Sequence, residues 1–170
     1  GTRALQCIDT PGHARHHLCL WDARSRSWFT GDTFGLSYRQ LDSAQGAFIL
    51  PTSSPVQFEP KAMLQSIARL MAMAPEAMYL THYGRVTHPQ RLAQALVQQI
   101  HAMTEIAHGC AERADRHRCL GAACPALSRG RARQHGCPLD DAAVEQLLAT
   151  DIELNAQGLA CWLDRPVRAG

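Results

Sequence analysis

Thr10-Pro11-Gly12-His13, Phe29-Thr30-Gly31-Asp32-Thr33 and Leu80-Thr81-His82-Tyr83-Gly84 are the three stretches on which the reading of this chain turns. In each, a side chain able to bind a metal sits just beyond an expected strand and beside a glycine. A strand end fixes the backbone, and glycine permits the sharp turn that aims the next side chain into a cleft. Imidazole and carboxylate at three such ends suit a zinc, iron or manganese site that keeps positions open for water. Taken singly, each has a plainer reading. A lone histidine after a strand is a satisfied polar residue, and an aspartate after glycine is a turn residue.

Outward from these stretches the chain alternates strands and loops, then turns helical. Residues 4–9 read as a buried strand ending at Thr10-Pro11-Gly12. Leu18, Leu20 and Trp21 mark a second strand and Trp28, Phe29 and Thr30 a third, joined by the polar hairpin connection of residues 22–27. Gly31 to Gly46 lacks periodicity and reads as a functional loop, followed by the short apolar run Phe48-Ile49-Leu50. A helix is expected from Pro60 to Ala74, with Met63, Ile67, Leu70 and Met71 on one face. The strand Met78-Tyr79-Leu80 follows, then a helix from Pro89 with Leu92, Leu96, Ile100 and Met103 in a stripe. A last helix is expected from an N-cap at Asp140, with Gly158 arguing against an unbroken run. Residues 108–138 show no clean period and read as a solvated, partly mobile surface.

The 170 residues, 46% of them hydrophobic and 19% charged, suffice for one compact domain and exclude disorder. No apolar run approaches the roughly 18 residues that span a bilayer, so no membrane partner is expected. The net charge of +2 is too small to imply a polyanionic partner. Six arginines lie between Arg113 and Arg133, but the aromatic residues that stack on bases are missing there, so no nucleic acid is expected. The seven cysteines are an odd number with no small-scaffold spacing, which suggests reduced thiols and a cytoplasmic protein. Cys110, Cys119, Cys124 and Cys137 lack the paired spacing of a structural zinc site and read as unrelated thiols, their role left open.

The order and spacing of T-P-G-H, G-D-T and T-H-x-G resemble those of the metallo-β-lactamase superfamily of metal-dependent hydrolases, over Leu5 to about Gly84. The nearest group is the glyoxalase II-like hydrolases. The resemblance implies an α/β (α+β) fold, part of an αββα sandwich. It would be the C-terminal half, a sheet of short strands followed by C-terminal helices. Residues 1–107 would be that half-domain and residues 108–170 its helical extension. It further implies two divalent metal ions, zinc first, with iron or manganese as alternatives. His13 would bind one, His82 the other, and Asp32 would bridge both and take part in catalysis. Tyr83 is a candidate to donate a hydrogen bond to substrate. His17, four residues after His13, is expected to orient the site from behind and not to ligate.

The superfamily's H-x-H-x-D-H motif occurs nowhere in this chain. It would lie upstream of Gly1, which implies a fragment whose missing N-terminal half, or a complementing chain, supplies the other ligands. The expected function is hydrolysis of a small ester or thioester by a metal-bound hydroxide. The alternatives are a non-catalytic, partner-binding half-domain and a single-iron sulfur dioxygenase on the same fold. The interval from Asp32 to His82 is too short for an inserted nuclease domain, and Asp32 stands where secreted β-lactamases of the commonest type carry Cys. Substrate, oligomeric state and the presence of residues before Gly1 are not legible.

Overall fold

The computed structural model describes residues 2–165. Five strands form one sheet: β1 (Gln6–Asp9), β2 (Leu18–Asp22), β3 (Ser27–Gly31), β4 (Ala77–Leu80) and β5 (Gly84–Thr87), in that spatial order. The pairs β1–β2, β2–β3 and β4–β5 are antiparallel, whereas β3 and β4 run parallel. A parallel neighbour requires a crossover. Here the crossover carries the loop after Gly31 and helix α1 (Pro60–Ala72). Helices α2 (Pro89–Cys110), α3 (Arg116–His135) and α4 (Asp141–Leu163) complete the chain.

Strand side chains alternate between faces, and the two faces differ sharply. Trp21, Trp28, Met78 and Val86 are buried under the helices in one continuous apolar core, and the Trp28 indole N–H donates to the Leu70 carbonyl of α1. The opposite face carries Cys7, Leu20, Phe29, Tyr79 and Arg85 in register across the five strands. No helix among the described residues covers it: Leu18 is 49% and Phe29 42% exposed. The Phe29 and Tyr79 rings stack there with centroids 4.9 Å apart.

Four differences from the sequence reading have physical causes. β5 was not expected, because Gly84-Arg85-Val86-Thr87 has a single inward apolar residue, Val86. β1 is not the buried strand expected over residues 4–9: it spans Gln6–Asp9 at the sheet edge, and Gln6, Cys7 and Asp9 are exposed because only β2 pairs with it. The 108–138 segment is not a loose surface: α3 fills it, burying Leu120, Cys124, Ala132 and His135 while its arginines face outward. Its thiols are also not all unrelated, since Cys110 and Cys119 form a disulfide that ties the end of α2 to the start of α3. The expectation of reduced cysteines is corrected at that pair.

Helix α4 runs unbroken through Gly158. A side chain there would collide with Ser53, a buried residue whose hydroxyl donates to the Leu154 carbonyl of α4. Gly158→Ala is therefore expected to destabilise the protein by about 1–3 kcal/mol, the usual cost of overpacking, although alanine is the better helix former. An unchanged or raised urea midpoint would contradict this packing. For the disulfide, reduction or Cys119→Ser is expected to cost about 2–3 kcal/mol, as for a short closed loop. Calorimetry with and without dithiothreitol checks it, and identical melting temperatures would contradict it.

Candidate metal centre

Three loops leave the same edge of the sheet and are held there by specific contacts. After β1, the chain turns at Gly12, whose φ is 139°, and a Cβ at that position would collide with the backbone of Met63 on α1. The turn is pinned on both sides. The Glu59 amide donates to the Gly12 carbonyl at 2.8 Å, the Ser66 hydroxyl to the Pro11 carbonyl at 2.7 Å, and the Ser54 amide to the His13 carbonyl at 3.2 Å. His13 is thereby fixed, and its Nδ1 lies 3.0 Å from the Thr52 carbonyl. A carbonyl only accepts, so Nδ1 carries a proton and Nε2 is the nitrogen turned toward Asp32.

After β3, Gly31 (φ 50°) makes room for the imidazole of His17, which a Cβ there would strike. The Asp32 amide donates to His17 Nε2 at 3.0 Å, while His17 Nδ1 meets the Thr33 hydroxyl at 2.8 Å. An N–H on one side requires a bare nitrogen, so His17 is neutral with its proton on Nδ1. Burial, the largest effect, and the nearby His13 lower its pKa, in agreement with that state. Behind it, the Thr33 hydroxyl donates to the Thr10 carbonyl at 3.2 Å, and Thr10 and Cys19 are fully buried. Burial pushes the Cys19 thiol up to about 11, and its Sγ lies 3.3 Å from the Thr30 carbonyl. The turn carrying Asp32 therefore rests on a closed polar network.

Of the residues singled out in the sequence, His13, Asp32 and His82 are brought together. His13 Nε2 lies 3.6 Å from Asp32 Oδ2, and His82 Nε2 lies 3.6 Å from Asp32 Oδ1. The two imidazoles face opposite oxygens of one carboxylate. Asp32 Oδ1 is buried and has no hydrogen-bond partner, an arrangement that is costly unless a cation or donor joins it. The ring of His82 is 59% exposed, so the cluster opens to solvent on that side. Each imidazole shares the carboxylate only pairwise. Among the described residues no group of three or more His, Cys, Asp and Glu side chains closes around one point to hold a metal ion. The donor set fits part of a metal site and lacks the rest.

Tyr83 is not aimed at this cluster. Its hydroxyl donates to Asp42 Oδ2 at 2.8 Å, and the Arg39 guanidinium sits 4.8 Å from its ring centroid. Its φ of 138° lies in a region strained for any residue but glycine, held in place by those two contacts. Burial first, then the Asp42 carboxylate, raise its pKa. As arranged, its hydroxyl serves the Asp42 loop. One neighbour went unnoticed in the sequence: Asp151 on α4 accepts from the Tyr38 hydroxyl at 2.9 Å and lies within electrostatic range of His82. Burial raises its pKa, and burial with the Asp151 contact pushes Tyr38 up to about 12. Asp151 lies among helix residues with no motif around it, so only the tertiary fold brings it near the site.

The solved structure of ST1585, a metallo-β-lactamase superfamily protein from the archaeon Sulfolobus tokodaii, superposes on 94% of this chain with a TM-score of 0.55 and 22% identity. That alignment covers 47% of the archaeal chain. A curated metallo-β-lactamase fold-containing protein, ST1585 of Sulfurisphaera tokodaii, is 29% identical over 100 residues, 59% of this chain and 34% of that protein. A metallo-β-lactamase family protein of Thermus thermophilus, TTHA1429, aligns at 18% identity with a TM-score of 0.48, over 87% of this chain and 44% of its own. No family model matches the chain. The chain has the metallo-β-lactamase fold over the part it shares with ST1585, and it spans a third to a half of the length of the relatives it matches.

His17→Leu removes the acceptor of the Asp32 amide and the donor to Thr33 in a half-buried place. A loss of about 1–3 kcal/mol is expected, the cost of leaving such groups unpaired. Equilibrium denaturation reads it, and an unchanged midpoint would show that the turn does not depend on this imidazole.

Proposed function

We propose that this chain contributes half of the metal centre of a metal-dependent hydrolase acting on a small ester or thioester. The supporting observation is the Asp32 carboxylate, placed between two histidine Nε2 atoms with one oxygen buried and unpaired. His13 and His82 would each hold one divalent ion, zinc first, and Asp32 would bridge the pair. When bound, such ions supply Lewis acidity and a water of lowered pKa.

The chain's own residues do the positioning. The Thr52 carbonyl orients His13 with its Nε2 toward the site. His17 fixes the backbone of Asp32, so the carboxylate does not have to reorganise when charge arrives. The exposed side of His82 leaves room for a small molecule to approach. The further ligands belong to a second segment, either an N-terminal half or a complementing chain. The apolar sheet face around Leu18 and Phe29 is of the kind such a segment would cover. That same face favours the second reading, a partner-binding module without catalysis.

Zinc competition against a chromophoric chelator separates the two readings. The chain is expected to take up zinc weakly, with Asp32→Ala weakening it more than about a hundredfold, beyond the range seen for groups behind the ligands. A complemented protein is expected to hydrolyse a thioester and to lose that activity in Asp32→Ala. Zinc uptake equal in both proteins would exclude a centre built on Asp32.

A further inference from the structure

Away from Asp32 the structure has a cleft of about 220 Å³ between α2, the end of α3 and the loop around Gln45. We propose that it binds a small organic anion through a carboxylate or phosphate group. Its floor is apolar, made by the buried Phe48 and Ile49, and its walls carry the guanidinium groups of Arg91 and Arg131. Among the described residues no carboxylate lines it. A concave surface with an apolar base and a few convergent polar groups is the usual shape of a small-ligand site.

The state of the two arginines carries the argument. Arg113, Arg116, Arg118, Arg129 and Arg133, on or just before α3, each meet an aspartate or glutamate. Arg91 and Arg131 meet none among the described residues. Arg91 Nη2 donates to the Ala47 carbonyl at 2.9 Å, which fixes the guanidinium plane, while its Nε is buried with no partner. Arg131 Nη1 donates to Gln134 Oε1 at 3.2 Å, leaving its other N–H groups free of protein partners. Two unpaired guanidinium groups at one cleft attract an anion and offer the forked donors that carboxylate and phosphate accept.

The remaining lining favours an organic ligand over a bare ion. His135 Nε2 donates to the Gly46 carbonyl at 2.9 Å, and burial together with the Arg91 charge lowers its pKa. It is a neutral wall that ties α3 to the loop. Glutamine amides around the rim supply donors and acceptors suited to hydroxyl or amide groups of the ligand. The inference does not rest on the proposed hydrolase, since none of these residues touches His13, Asp32 or His82.

Inorganic phosphate and malonate titrated into the ¹⁵N-labelled chain in metal-free buffer test it. Saturable shifts are expected at the amides of residues 45–49, 91–99 and 131–135. Tighter saturation by phosphate assigns a phosphoryl ligand, and by malonate a carboxylate. The double variant Arg91→Gln/Arg131→Gln is expected to bind at least about tenfold more weakly, as for loss of charge-assisted hydrogen bonds. Arg131→Gln alone, at a half-exposed position, is expected to weaken binding without disturbing the fold. Asp32→Ala is expected to bind as the unaltered chain does. Absence of saturation with both anions, undiminished binding in Arg131→Gln, or loss of binding in Asp32→Ala would each overturn the assignment.

Discussion

The Asp32 amide donates to His17 Nε2, and through that bond the end of β3 is locked to the turn after β1. Gly31 leaves space for the ring, Thr33 accepts its other proton, and the buried Thr10 and Cys19 close the network from behind. The carboxylate consequently has one placement, between His13 on one loop and His82 on another. A buried polar network of this kind is stabilising only when every member is satisfied, and the member left over is Asp32 Oδ1. That oxygen is placed where a cation would satisfy it.

The asymmetry of the sheet belongs to the same account. One face is sealed by the helices over Trp21, Trp28 and Met78, while the other leaves Leu18 and Phe29 open. Relatives of the same fold are two to three times as long as the stretch they share with this chain. The proposed function ties these observations together: a second segment would cover the open apolar face and bring further ligands to the carboxylate whose oxygen is unpaired. No helix among the described residues is long and apolar enough to cross a membrane.

The cluster was legible in the sequence because its signals are local: a strand, a glycine and one chemistry-bearing side chain, three times over. β1 to β4, α1 and α2 were legible for a similar reason, their apolar residues recurring at strand or helix period. α3 was not, because it buries only four residues, among them a histidine and a cysteine, and contains Pro125. β5 has one inward residue and so no alternation to detect. Asp151, the Cys110–Cys119 pair and the arginine-lined cleft depend on which helices lie side by side, which no local pattern encodes. Tyr83 follows His82 directly in sequence, yet its hydroxyl bond to Asp42 is a tertiary contact that no local pattern encodes.

The most direct measurement is anomalous X-ray diffraction at the zinc absorption edge from crystals of this chain grown with zinc. Peaks flanking the Asp32 carboxylate, one on the His13 side and one on the His82 side, are the predicted result. Zinc found only at cysteines or at surface histidines, with the Asp32 oxygens bare, would contradict the account.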